Sequence, residues 1–206
     1  MLVAAGWQFK ARRLISSVLK HPLVLRAKAP LRNVWWALKG RGTRNPPIPA
    51  RVESMLFVCL GNICRSPFGA ELAKRLLPEA GKGHIRCASA GIRPSQDRQS
   101  PRDACRASAG YGISLEEHVP QALTRELMAS HDMVVVMEWR QLEELRAAYP
   151  EHHDRIFLLS LFDDAAENAY ERLNIADPFG RPVVAFEECY RRIDRSLRRC
   201  LAAVQN

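Results

Sequence analysis

Cys59 and Arg65 stand at the two ends of the run Cys59-Leu60-Gly61-Asn62-Ile63-Cys64-Arg65, which Ser66-Pro67 follows. A thiol and a guanidinium at that spacing can serve one reaction, in-line attack of sulfur on phosphorus. Near cations or a helix N-terminus, a cysteine pKa can fall from about 8.5 to between about 3.5 and 7.5, which makes a thiolate nucleophile at neutral pH. The planar fork of an arginine matches two phosphate oxygens at once, as lysine cannot. Leu60, Gly61, Asn62, Ile63, Cys64 and Ser66 can turn their main-chain N–H groups inward as an anion nest. Singly these residues are ordinary: a cysteine at a strand end is usually a small buried hydrophobe, and Gly-Asn is usually a turn. Together they point to transfer of a phosphoryl group onto Cys59, with the nest and Arg65 stabilising charge on the equatorial oxygens.

Such a loop needs a strand before it and a helix after it. Met55 to Cys59 is a short apolar run that reads as a buried strand, and 66–77 has helical periodicity. The loop would then lie at the carboxyl end of a strand, where open α/β sheets bind ligands. The helix N-terminus would add its partial positive charge, and Pro67 suits a first helical turn. Further strands are expected at 85–90, 133–137 and 155–159, with helices at roughly 99–110, 139–148 and 184–203. The last of these places Phe186, Tyr190, Ile193, Leu197 and Leu201 on one face. Alternating strands and helices predict an α/β three-layer sandwich, a four-stranded parallel sheet flanked by helices on both faces.

The charge is unevenly spread. The chain has 206 residues, 47% hydrophobic and 26% charged, and a formal net charge of +9. Eleven of its 31 Lys and Arg fall in residues 1–51, which hold no Asp or Glu, and the other 20 face all 22 acidic residues. The expected division is therefore a basic N-terminal extension, 1–51, and a catalytic domain, 52–206. The pI near 9.6 reports the extension, so nucleic acid is not an expected partner of the body. Within the extension, Trp7, Ala11, Leu14, Ile15, Val18 and Leu19 recur at helical spacing, and 31–39 repeats the theme around Val34, Trp35, Trp36 and Leu38. Gly40 to Pro49 reads as a linker. The extension is open to four readings: a disordered arm, a weak contact with an anionic membrane, a targeting segment, or untranslated sequence upstream of Met55. On none of them is Trp7, Trp35 or Trp36 expected to pack into the body.

The six cysteines have no zinc-ligand spacing, and a chain with a normal core has no need of a disulfide framework. A reducing cytoplasm is expected, with no metal and no cofactor. No run approaches the roughly 18 apolar residues that would suggest a membrane span.

Leu56 to Pro67 resembles the signature loop of the low-molecular-weight protein tyrosine phosphatases. Ser89-Ala90-Gly91, Gly112-Ile113-Ser114 through His118, Asp132 through Met137-Glu138, and Asp177-Pro178-Phe179 follow in the family's order. The resemblance covers roughly residues 54–204 and is greatest to the bacterial polysaccharide-associated members, which share Glu138 and the run from Asp177 to Pro182. It implies hydrolysis of phosphotyrosine through a phosphocysteine on Cys59, with Arg65 as phosphate clamp and Asp177 as general acid and then general base. Asn62 and Ser66 would shape the loop, Ser89 and His118 would support it, and Phe179 would flank the substrate ring. Cys64 has two readings, a small packing residue of the loop or, as the resemblance implies, the partner of Cys59 in a reversible disulfide. The implied partner is a phosphotyrosine protein, such as a bacterial tyrosine kinase of polysaccharide export. Without the resemblance, Asp177-Pro178 is only a turn signal.

Three other activities compete. Thioredoxin-linked arsenate reductases of this fold need further cysteines, and 129–139 has none. Protein arginine phosphatases carry Thr at the position of Ile63, whose bulk favours a flat phenyl ester. A non-catalytic phosphate-binding module would have no use for Asp177.

Overall fold

The computed structural model describes residues 34–94 and 97–205. The expected helix over 7–20 lies outside them. Four strands, β1 (Ser54–Cys59), β2 (Arg86–Gly91), β3 (Met133–Val136) and β4 (Ile156–Leu158), form one sheet in the order β2-β1-β3-β4, every pairing parallel. Central β1 and β3 are buried on both faces, which is why they read as unbroken apolar runs.

Seven helices cover the sheet among the described residues: α1 (34–39), α2 (Arg65–Glu79), α3 (Arg102–Ala109), α4 (Arg125–Ala129), α5 (Trp139–Ala148), α6 (Ala169–Leu173) and α7 (Val183–Ala203). Alternate strand residues face opposite sides. Met55, Phe57, Val135 and Phe157 pack on Phe68, Leu72 and Leu76 of α2, Ala104 of α3, and Phe186, Tyr190 and Leu197 of α7. Leu56, Val58, Val134 and Ile156 pack on Trp36 of α1, Met128 of α4, Leu142 and Leu145 of α5, and Leu173 of α6. The three layers and both helical faces are therefore as expected.

The segment before the sheet differs from expectation. Trp36 is only 7% exposed and belongs to the second core cluster. It meets Trp139 edge-on at 6.0 Å and Tyr170 at 5.5 Å. The Gly40–Pro49 stretch is pinned: the Asn45 side-chain amide donates to Leu158 O at 3.1 Å and accepts from Leu158 N at 2.7 Å. The linker reading failed because prolines and glycines report backbone chemistry, whereas packing on the sheet is a tertiary effect. No described helix is long and apolar enough to cross a membrane.

Candidate active site

The Cys59 loop occupies the carboxyl end of β1 and leads directly into α2. Asn62 is its keystone. The residue is fully buried with φ +53°, a left-handed conformation that asparagine tolerates better than most residues. Its Nδ2 donates to Ser66 Oγ and to Ser89 Oγ, both at 2.9 Å. Its Oδ1 accepts from Gln121 N at 2.9 Å. The Asn62 carbonyl lies 2.8 Å from His118 Nε2; since a carbonyl only accepts, Nε2 carries the proton. Burial lowers the His118 pKa below its ordinary 6.5, with the bond to the Asn62 carbonyl opposing it. The end of β2 must come close to this loop. A Cβ on Gly91 would lie 3.0 Å from Asn62 Cβ and 3.1 Å from Asn62 N, so any larger residue would press on the loop's backbone.

Cys59 Sγ accepts from Asn62 N at 3.3 Å and lies 3.0 Å from Ser66 Oγ. That hydroxyl accepts from Asn62 Nδ2, and its single proton is in reach of both the sulfur and the Ala90 carbonyl, which lies 3.3 Å away. The main-chain N–H groups of Gly61, Ile63 and Cys64 donate to no described residue. Those of Arg65 and Ser66 are first-turn donors that the helix cannot satisfy. Together they are the donors an anion nest requires.

Arg65 is 1% exposed. One terminal nitrogen donates to Glu138 and, at 3.0 Å, to Ile175 O; the other pairs with Asp177 Oδ2 at 2.7 Å. Burial alone would lower its pKa, but Cys59, Asp177 and Glu138 push it up, so the guanidinium stays charged. Its Nε is buried without a partner among the described residues. Such an orphan donor is costly unless a ligand completes it.

Cys59, Leu60, Gly61, Ile63, Cys64, Arg65, Arg93, Arg98, Asp177 and Phe179 line one cavity of about 150 Å³. Leu60 and Phe179 are exposed at its mouth. Arg98 lies over the Phe179 ring at 5.3 Å. Asp177 is 39% exposed at the side chain and caps the turn into Phe179 by accepting from its N–H at 3.1 Å. The side chains of Asn62 and Ser66 do not reach the cavity; of these two residues only the main chain can face a ligand. Ser89 and His118 stand behind the loop, each bonded to Asn62.

Sequence reasoning missed that Glu138 anchors Arg65. The available signal was its position just past the end of β3, where a parallel sheet places its site. It also missed Gln121 and the two rim arginines. Asp132 is remote from the site: it accepts from Glu53 N at 2.9 Å and Ser54 Oγ at 2.8 Å, at the amino end of β1.

Burial, with Cys59 and Asp177 nearby, pushes the Cys64 thiol up and outweighs the opposing Arg65 charge. Cys189 and Cys200 are buried thiols, each pushed up to about 12, Cys189 by desolvation first and Cys200 by desolvation alone.

Comparison with known proteins agrees with this geometry. The chain is 32% identical over 146 residues to a probable low molecular weight protein-tyrosine-phosphatase, EpsP, of Ralstonia nicotianae, covering 71% of this chain and 92% of the relative. The crystal structure of the Erwinia amylovora tyrosine phosphatase AmsI is similar with a TM-score of 0.66 and 29% identity, over 76% of this chain and 95% of that one. An arginine phosphatase, YwlE of Geobacillus stearothermophilus, is similar with a TM-score of 0.62 and 25% identity, over 73% and 91%. The family model for low molecular weight phosphotyrosine protein phosphatases matches residues 54–206. With that match spanning the sheet, the Cys59 loop and Asp177, the chain belongs to the low molecular weight phosphotyrosine protein phosphatase family, a family of phosphoric monoester hydrolases.

Proposed function

We propose that Cys59, Arg65 and Asp177 carry phosphotyrosine hydrolysis in two steps. In the first, the Cys59 thiolate attacks phosphorus, the bond to the phenolic oxygen breaks, and Asp177 gives that oxygen its proton. In the second, Asp177 takes a proton from water, whose oxygen attacks the phosphocysteine. Inorganic phosphate leaves and the thiolate is restored. The observation that carries this reading is the buried Nε of Arg65, unpartnered among the described residues, in the cavity that Cys59 lines.

The Arg65–Asp177 ion pair fits the sequence of events. A phosphate dianion competes with the Asp177 carboxylate for the guanidinium, so the protonated form of Asp177 is the one compatible with bound ester. Phe179 and Leu60 would hold the phenyl ring between them, and Ile63 narrows the floor against a branched phosphoguanidine. A substrate panel tests the reading. Phosphotyrosine peptides should show the highest kcat/KM, and preference for phosphoarginine or phosphoserine peptides would overturn it.

Residues 52–206 form the catalytic domain in this reading. The substrate is read as a tyrosine-phosphorylated protein, such as a bacterial tyrosine kinase of polysaccharide export, because the segment from Asp177 to Pro182 resembles that group. Cys64 is read as a disulfide partner for oxidised Cys59. The six cysteines are all free, which suits the reducing cytoplasm. Val34, Trp35 and Leu38 are exposed beside a basic stretch, which supports a weak contact of the extension with anionic membranes.

A further inference from the structure

Residues 34–49 lie outside the part of the chain that the family model matches, yet they touch the elements that hold the catalytic arginine. Arg65 is anchored from two short stretches of chain. Glu138 supplies a carboxylate and Ile175 a carbonyl. The two stretches are stitched together: Glu138 bridges Asn174, Ile175 N donates to Met137 O at 2.8 Å, and Trp139 N donates to Asn174 Oδ1 at 3.3 Å. Asp177 follows two residues after Ile175. The position of this stitch therefore sets both the clamp and the acid.

Trp36 packs on the outside of that stitch. Its ring meets Trp139, the residue after Glu138, and Tyr170, whose carbonyl accepts from Asn174 Nδ2 at 2.9 Å. Gly40 lies so close to α6 that a Cβ there would come within 2.5 Å of Leu173 Cδ1. From the other side Arg192 of α7 donates to Asn174 O and Glu171 O, both at 2.8 Å. The chain from 169 to 175 is held between α7 and the 34–40 segment.

That segment is itself fixed. β4 is an edge strand, and the Asn45 amide satisfies both main-chain groups of its Leu158. Pro46, Pro47 and Pro49 follow. They have no N–H with which to extend a ladder, so the edge is closed without inviting another strand.

We propose that Trp36 is a positioning residue for Arg65 and Asp177, carried on a brace that precedes the catalytic domain and holds the 137–139 and 174–175 stretches in register. The inference rests on the roles assigned above to Arg65 and Asp177. In a close-packed interior the loss of an indole is not absorbed locally. Trp139 and Tyr170 must move into the space, and both are bonded to the stitch.

The test uses the full chain with Trp36→Ala, Trp36→Leu and Trp36→Phe. The readouts are thermal midpoint, the inhibition constant of inorganic phosphate against p-nitrophenyl phosphate, and the ratio of kcat on phosphotyrosine peptide to kcat on p-nitrophenyl phosphate. Kinetics are read well below each variant's midpoint. In Trp36→Ala the phosphate constant should rise roughly two- to thirtyfold, the span of couplings of about 0.5–2 kcal/mol through packed networks. The kcat ratio should fall as Asp177 loses alignment, and Trp36→Phe should recover most of both. Trp36→Leu, which keeps apolar volume, should show the same changes at the lower end of that span, and decides the matter if the alanine variant does not fold. Lower midpoints with an unchanged phosphate constant and kcat ratio would overturn the proposal and leave Trp36 a stability residue only. A wild-type protein that binds phosphate but turns over no phosphotyrosine would instead overturn the reading of the site, while the phosphate constant would still report on the brace.

Discussion

Replacing Arg65 by lysine keeps the charge and removes the fork. The guanidinium divides its donors: one terminal nitrogen goes to Glu138 and the Ile175 carbonyl, the other to Asp177, and Nε has no partner among the described residues. An ammonium donates from a single point. It can stay with Glu138 and Ile175 or move toward the phosphate, but it cannot span both. At least one charge-assisted hydrogen bond to the phosphoryl group is lost, at about 1.5–3 kcal/mol. At 1.4 kcal/mol per decade, that is roughly a 10- to 150-fold weaker hold on phosphate. If the lysine does move, Glu138 is left partly buried and unpaired, which costs further stability. The assay is inhibition of p-nitrophenyl phosphate hydrolysis by inorganic phosphate, together with kcat/KM. Both should fall by at least about tenfold, the lower bound that one such bond sets. A variant within about threefold of wild type would mean that the nest alone binds the anion and that Arg65 only supports the loop.

Other outcomes follow from the same geometry. Asp177→Ala should slow phosphotyrosine hydrolysis by roughly 10² to 10⁴, the usual worth of a placed general acid. It should slow the release of p-nitrophenol far less, giving a burst and then slow turnover. Its turnover should also lose the basic limb of the pH profile, and equal losses on both substrates without a burst would remove Asp177 from the acid role. Dilute peroxide should silence the wild type through a Cys59 sulfenic acid, which Cys64 converts to a disulfide with release of water; in Cys64→Ser, recovery with thiol should be slower or incomplete. Since burial holds Cys64 as a thiol, that closure should be slow enough to follow by mass spectrometry, and equal recovery in both proteins would exclude it. The His118 pKa is lowered in the folded state, so the unfolded chain takes the proton first. Wild type should lose stability relative to His118→Gln as pH falls below 6.5, and parallel melting curves across that range would refute it.

The strands and the Cys59 loop were legible because their causes are local. β1 and β3 are buried on both faces, so each reads as an apolar run. The loop carries its thiol, glycine, guanidinium and helix start within nine residues. The long helices α2, α5 and α7 showed their period over several turns. Helices α4 and α6, of five residues each, are too short for a period, and their caps emerge only in the structure, where Thr124 Oγ1 accepts from Leu127 N and Asn168 Oδ1 from Glu171 N. Glu138 was visible as a residue but not as the anchor of Arg65, 73 positions away, because only the parallel pairing of β1 with β3 brings them together. The packing of Trp36 was hidden for a related reason. An indole followed by glycines and prolines looks like an amphipathic arm with a linker until Trp139, Tyr170 and Leu173 are assembled beneath it.

The central claim is that the phosphoryl group passes through Cys59. The direct measurement is peptide mass spectrometry of enzyme quenched in acid during turnover. A phosphoryl adduct should map to the peptide containing Cys59, grow stronger in Asp177→Ala because hydrolysis of the intermediate is slowed, and vanish in Cys59→Ser together with turnover. A phosphoryl group on another residue, or turnover persisting in Cys59→Ser, would contradict the account.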